Sequence, residues 1–239
     1  FLILLYRYLF KLDKLKEIML SGLGVLGVYL YLRVVVGGQG LSSYPNSIPI
    51  RLLSLSDRLI NVPTIILYYL KTFILPLNLS VWQFWVVRQV NIQEFYAPLF
   101  YCFTLFLFLL LATIFLYKSR NNPNYNKEKL LQKFLFFFGW YIFGIFPLLQ
   151  IVPLDMTVAD RWFYVPIVCL LGLIGTALQL LQTSHWFNKT LVVITMIIFI
   201  SFLSFRTMVR TFDFKDNLTL YSHDVEERQE QFKIKDVLA

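Results

Sequence analysis

The sequence is poor in the groups that build most soluble sites. It has two cysteines in 239 residues, Cys102 and Cys169, and both fall inside apolar runs. Neither a disulfide framework nor a thiolate site is expected from that placement. The two histidines, His185 and His223, stand apart, with no metal-ligand spacing around either. Asp155 and Asp160 are five apart with no third ligand nearby, which is too few for a metal centre. Gly22, Gly24 and Gly27 follow no strand, so they are not a nucleotide loop; small residues in an apolar helix read as a close packing face. There is no internal repeat, and the Asn-rich tip NNPNYNK at 121–127 is a plain turn. Charge is scarce as well, at 15% of residues, and it gathers between long apolar runs.

What is there is apolar and aromatic. Hydrophobic residues make up 58% of the chain and aromatics 18%, with a mean hydropathy of +0.64. That composition lies outside the range of an ordinary soluble domain and indicates an all-α, polytopic membrane helical bundle. The net charge of +8 does not point to nucleic acid. Its basic residues flank apolar spans, where the excess of Lys and Arg in cytoplasmic loops accounts for them. The first ten residues, FLILLYRYLF, read as the tail of a helix without the n-region or cleavage site of a signal peptide. The expectation is a chain whose N-terminal part lies upstream.

Spanning helices are expected at 18–36, 97–117, 130–150, 162–183 and 189–205, with 1–10 as a helix end. The segment 59–77, LINVPTIILYYLKTFILPL, is different. Pro63, Lys71 and Pro76 are expected to cut its helix to about 12 residues, too short to cross at ~1.5 Å per residue. Charge placement sets the topology. The loop 118–133 carries Lys118, Arg120, Lys127, Lys129 and Lys133 against Glu128, and the linker KLDKLKE at 11–17 is basic too. Both belong inside, so 37–96, 151–161 and the residues after 205 belong outside. Segment 59–77 is then re-entrant or interfacial, with Tyr68, Tyr69, Trp82 and Trp85 at headgroup level. The chain divides into a transmembrane domain, 1–205, and an amphipathic juxtamembrane tail, 206–239.

The boundary charges are the functional candidates, because charge near hydrocarbon is costly unless paired or used. They are Arg33 at the end of 18–36, Arg58 and Lys71 around the half-length segment, Asp160 and Arg161 before 162–183, and Arg206 and Arg210 after the last span. Converging cations at one lipid–water boundary suit a phosphate, which a guanidinium grips with two parallel hydrogen bonds. Snorkelling to headgroups is the alternative use of an arginine at a helix end. In V-A-D-R-W-F-Y-V-P (158–166), Asp160 is placed to cap a helix or sit in its first turn. Tyr164 shares a face with Asp160 and Arg161 by its spacing of four and three.

Three stretches together resemble a known family. LPLNLSVW (75–82), preceded by YYLKTFILP, is similar to the "Tyr-Leu…Leu-Pro…Leu-Ser" segment of the multi-spanning glycosyltransferases that carry tetratricopeptide repeats. FGWYIFGIFPLLQIVPLDMTVADRWFYVP (138–166) is similar to that family's "Pro…Glu-Arg-Tyr-Leu-Tyr-Leu-Pro" signature. RTMVRTFDFKDNLTLYSHDV (206–225) resembles its exit from the last span. The resemblance implies a GT-C fold enzyme. Such an enzyme passes a sugar, often mannose, from a polyprenyl or dolichyl phosphate carrier to a protein or glycan acceptor on the lumenal or periplasmic side. Asp160, Arg161 and Tyr164 occupy the signature positions, and Arg206 and Arg210 the exit positions. Two substitutions depart from the pattern: Asp160 stands where the family has Glu, and Phe214 where it often has Trp. The resemblance also puts the catalytic acid in a first outer loop upstream of Phe1, leaving Asp160 as the candidate within this chain.

These readings combine into a membrane hexosyltransferase of the bacterial inner membrane or endoplasmic reticulum. Arg161, Arg33 and Lys71 would meet the carrier phosphate, with Tyr164, Arg58, Arg206 and Arg210 completing the binding set. The expected partners are membrane lipids, the lipid-linked sugar and its acceptor. No cofactor is evident, and a divalent metal is left open. The rival classes are a transporter or lipid-handling protein, with 59–77 lining a pathway, and a scaffold without activity.

Overall fold

The computed structural model describes residues 2–10, 15–36, 49–77, 79, 81, 83–118, 127–181 and 189–225. Helix α1 spans Leu2–Leu9, α2 Leu15–Tyr31, α3 Pro49–Leu52, α4 Leu55–Ile74, α5 Ala97–Lys118, α6 Lys127–Ile145, α7 Tyr164–Leu181 and α8 Lys189–Asp213. A π-helical turn carries α2 on to Val36, and another, Ile92–Tyr96, leads into α5. Tight 3-10 turns end α6 at Phe146–Leu149 and open α7 at Asp160–Phe163. Residues 217–225 form a further short helix. No strand occurs among the described residues; the one sheet-like feature there is an isolated antiparallel bridge between Gln83 and Val158.

Among the described residues, four stretches are long and apolar enough to cross a membrane: Ile92–Lys118, Glu128–Leu149, Asp160–Gln179 and Thr190–Asp213. They fall on four of the five expected spans. The fifth, 18–36, falls on α2 and its π-helical extension; the α-helical part is 17 residues long. The apolar side chains of α5 point all round it, leaving Phe100, Phe103 and Phe108 exposed. Helix α8 buries none of its apolar stretch. Each such side chain forgoes about 1.5–3 kcal/mol of burial in water, a penalty that hydrocarbon removes.

Helices α6 and α7 form the central antiparallel hairpin. They approach closely because glycine stands at the crossing points. A Cβ built at Gly172 would lie 2.2 Å from the Phe137 ring, and one at Gly144 would lie 3.3 Å from Val165. The shared core runs through Leu130, Phe134, Tyr141 and Ile145 of α6 and Cys169, Leu170 and Leu173 of α7. Helix α1 rests on α6, with Leu5 over Gly139 and Tyr6 edge-on to Phe136 at 5.7 Å.

The segment 59–77 corrects one expectation. Pro63 does not cut the helix: α4 runs unbroken for 20 residues with Pro63 inside it. An interior proline costs a helix about 3 kcal/mol or more, so something must hold both sides of it. Asn61 and Thr64 do so. Asn61 clamps the backbone of Val87 in both directions, and the Thr64 hydroxyl donates to the Glu94 carbonyl. Between them the Pro63 carbonyl accepts from the Cys102 thiol at 3.5 Å. Lys71 stays exposed and so does not disturb the helix. Pro76 does act as a breaker, one residue beyond the C-cap at Leu75.

The contacts of α4 all gather at one end of the bundle. Arg58 reaches Gln150 and Ile151, Pro63 meets the start of α5, and Tyr68 and Tyr69 reach Ala159 and Asp160. Helix α4 therefore lies across the end that carries the α6–α7 connection. Lys118 and Lys127, the last residue of α5 and the first of α6, lie at the opposite end, because α5 and α6 run away from the α4 end and back again.

Candidate functional site

The end of the bundle under α4 is built from uncharged polar side chains that tie three segments together. The Asn61 amide donates to the Asp57 and Val87 carbonyls at 2.8 and 3.3 Å, and its oxygen accepts from the Val87 amide at 2.6 Å. That holds the returning extended segment 83–88 alongside α4. The Thr157 amide donates to the Gln83 carbonyl at 2.9 Å, and the Thr157 hydroxyl donates to the Trp85 carbonyl at 2.7 Å, so residues 156–158 join the layer. Gln150 turns the chain there in a left-handed conformation, φ 60°. Its buried amide donates to the carbonyls of Met156 and Thr157, both at 2.8 Å, and its oxygen accepts from the Leu154 amide at 2.9 Å. Unmet buried groups of this kind would each cost about 1–3 kcal/mol, so the connection 150–159 has one well-determined path.

That path delivers Asp160. Tyr68 donates its hydroxyl to Asp160 Oδ1 at 2.7 Å, the Gln83 amide donates to Tyr68 at 3.0 Å, and the Trp85 indole donates to Gln83 at 2.8 Å. Burial first, and then the Asp160 carboxylate, push the Tyr68 hydroxyl far above the ordinary phenol range, so its proton is always offered to Asp160. Tyr69 backs this chain. It stacks on Phe163 at 4.8 Å, and its hydroxyl bridges the amide and carbonyl of Ala159. Of the two places the sequence allows, Asp160 takes the second: it is not the cap but sits in the first turn, in the 3-10 turn that opens α7. Ala159 is the N-cap residue, no side chain caps the turn, and the Asp160 carboxylate is engaged by Tyr68 instead.

Beside Asp160 lies a cavity of about 490 Å3. Its walls are the loop that follows α4, the first turns of α7 and the last turns of α8. Asp160, Arg161, Tyr164, Arg206 and Arg210 all line it, with Pro76, Leu203 and Phe214 among the apolar surfaces. Five of the eight sequence-predicted site residues are thus brought together. Arg58 is not among them; its guanidinium donates to the Ile151 carbonyl at 2.9 Å and to that of Gln150 at 3.4 Å, bracing the turn. Lys71 is exposed on α4 and does not line the cavity. The Arg33 side chain lies outside the described residues.

The three arginines of the cavity are used differently. Arg206 is fixed on backbone, donating to the Pro76 carbonyl at 3.0 Å and to the Leu77 carbonyl. Arg210 is 8% exposed and paired, with Asp213 at 2.8 Å, Asp224 at 3.7 Å and His223 Nδ1 at 3.0 Å. Asp224 in turn accepts from the Val81 amide at 3.1 Å, which fastens the helix 217–225 onto the loop after α4. The chain therefore folds back at 214–216 toward the cavity; it does not lead away. Arg161 is the most open of the three. Its side chain is half exposed, Asp155 stands 3.8 Å away, and the Met156 sulfur is at 3.9 Å. A partly exposed guanidinium with one long ion-pair contact keeps most of its donors for a ligand.

The polar layer itself escapes sequence reasoning. Asn61, Tyr68, Gln83, Gln150 and Thr157 are uncharged, and partners such as Tyr68 and Asp160 are 92 residues apart. The one legible trace is that Asn61 and Tyr68 lie seven apart on one helix face. Among the described residues, no three His, Cys, Asp or Glu side chains assemble as a metal ligand set. The arrangement can hold an anion through Arg161 and hydroxyl groups through Asp160.

Compared with models of protein families, with curated proteins and with solved structures, the chain matches none of them.

Proposed function

We propose that this is the membrane part of a GT-C type glycosyltransferase that moves a sugar from a polyprenyl phosphate carrier to an acceptor at the outer or lumenal face. The observation that carries the reading is the gathering of Asp160, Arg161, Tyr164, Arg206 and Arg210 around one cavity, with Arg161 largely open. The cavity lies at the end of the bundle away from Lys118, Lys127 and Lys129, which supports an outer-face site by the charge rule. In transfer, the acceptor hydroxyl oxygen bonds to the sugar C1 and the C1–O bond to phosphate breaks. The electron pair stays on the phosphate oxygen, and the hydroxyl proton leaves to a base. Arg161 offsets the charge that grows on that oxygen, an interaction stronger in the transition state than in the ground state.

The test is transfer from a radiolabelled polyprenyl-phosphate mannose by membranes holding the full-length protein. Arg161→Ala should lower turnover at least about 100-fold, the usual scale for one electrostatic donor, while leaving insertion intact. Wild-type turnover in that variant would sink the assignment. A wild-type protein that transfers no sugar but moves lipid across vesicles would favour the lipid-handling class instead.

A further inference from the structure

We infer that Asp160 sets how much charge the cavity accepts, admitting a phosphodiester with one negative charge and turning away a phosphate monoester with two. The inference rests on the proposed binding of a phosphate ester at Arg161 and goes on to say which ester. It starts from the partners of each charged group. Asp160 lines the cavity with one oxygen held by Tyr68 at 2.7 Å, and among the described residues it forms no ion pair. Three arginines line the same space, and none of them stands within ion-pair distance of it. Arg210 is offset by Asp213 at 2.8 Å and Asp224 at 3.7 Å, with His223 beside it. Arg206 has two of its five donors on the Pro76 and Leu77 carbonyls. Arg161 has Asp155 at 3.8 Å. With Asp160 included, four carboxylates (Asp155, Asp160, Asp213 and Asp224) stand around the three arginines, and Arg161 is the most open of the guanidiniums.

A single ligand charge can pair with Arg161. A second ligand charge enters a surround that already holds four carboxylates against three arginines, and it faces the Asp160 carboxylate across the cavity. Like charges a few Å apart in such a site disfavour each other by enough to lower affinity about tenfold or more. A carrier joined to a sugar is a phosphodiester with one charge, and the spent carrier is a monoester whose second ionisation falls near pH 6. The groups facing Asp160 are Tyr68 from α4, Arg161 on its own turn, Arg206 and Arg210 from α8, and Asp224 behind Arg210. With that surround, Asp160 favours loading of the diester and release of the monoester.

The test uses the purified full chain in a neutral detergent and two probes with the same tail, decyl methyl phosphate and decyl phosphate, measured by calorimetry. At pH 8 the wild type should bind the diester at least about tenfold tighter than the monoester. At pH 5.5, where the monoester carries one charge, the gap should close. Asp160→Asn should close it at pH 8 by tightening the monoester; if that variant does not fold, the wild-type comparison of the two pH values decides. Equal binding of both probes at pH 8, or a preference for the monoester, overturns the inference. If Arg161→Ala still abolishes binding in that case, the phosphate site itself stands. Binding of neither probe by the wild type overturns both.

Discussion

Replacing Arg210 with methionine should unlatch the end of the chain while leaving the helical bundle in place. The side chain of Arg210 is 9% exposed, that of Asp224 4% and that of Asp213 21%. Two unit charges about 4 Å apart attract by about 4 kcal/mol at an effective dielectric of 20. Removing one partner of a buried pair costs about 3–5 kcal/mol, because the other charge is left uncompensated. Asp213 can turn to solvent, whereas Asp224 is held on the Val81 amide, so the lower end of that range applies. A loss of about 3 kcal/mol corresponds to roughly a 100-fold rise in local opening. Amide hydrogen exchange of 214–225 and of the loop 76–81, in detergent or nanodiscs, reads this directly. Removing Asp224 together with Arg210 should recover part of the protection, since the orphaned charge goes with it. Arg161 supplies the contrast. Its contact with Asp155 joins side chains that are 49% and 40% exposed, so Arg161→Met should cost about 0–1 kcal/mol. Unchanged exchange in Arg210→Met, or an equal effect from Arg161→Met, refutes the reasoning.

The glycines of α7 give a second, opposed pair. Gly172→Ala drives a methyl into the Phe137 ring and should destabilise the α6–α7 hairpin by about 1–3 kcal/mol, whereas Gly175→Ala meets nothing within 4 Å and should raise helix stability by about 0.5–1 kcal/mol. Chemical unfolding in detergent compares the two, and the same sign for both would contradict the packing described here. A third prediction concerns Asp216, which stands at the start of 217–225 and accepts from the Thr219 amide at 2.7 Å and from its hydroxyl at 2.9 Å. The Thr219 amide, then its hydroxyl, holds the Asp216 carboxyl below the usual carboxylate range. Its contribution is therefore present above the unfolded value of about 3.9 and lost as pH falls through the lower folded value. The Thr219 amide resonance should titrate with a midpoint below the ordinary aspartate value; a midpoint at or above it would rule out the cap.

The spans were legible because hydrophobicity and length need no partner to be read. Phe146–Leu149 and Asp160–Phe163 bound the α6–α7 hairpin close to where the apolar runs stop. Segment 59–77 misled for a physical reason. Proline propensity describes an isolated helix, and in α4 the strain at Pro63 is held by Asn61 and Thr64, whose partners Val87 and Glu94 lie 26 and 30 residues away. The same limit governs Asp160. Its position at a helix start predicts a cap or a first-turn acid and it is the second, but the hydroxyl that engages it comes from Tyr68, across 92 residues of chain. Local rules assign a side chain to its neighbours in sequence, and a tertiary partner of better geometry overrides them.

The arginines show where such reading stops. Arg206 and Arg210 stand four apart near the end of one helix and look equivalent by spacing, exposure pattern and charge. In the fold one is tied to carbonyls of the loop after α4, and the other is enclosed by Asp213, His223 and Asp224. Both are held in the cavity wall by the protein's own groups, while Arg161, with its partner at 3.8 Å, is the most open of the three. The difference depends on Asp224, which reaches Arg210 because the chain folds back after residue 213 and hydrogen-bonds Val81 across 143 residues. Counting cations at the membrane boundary therefore overstates what the site can bind. The number that matters is how much positive charge remains after the protein's own carboxylates have taken their share.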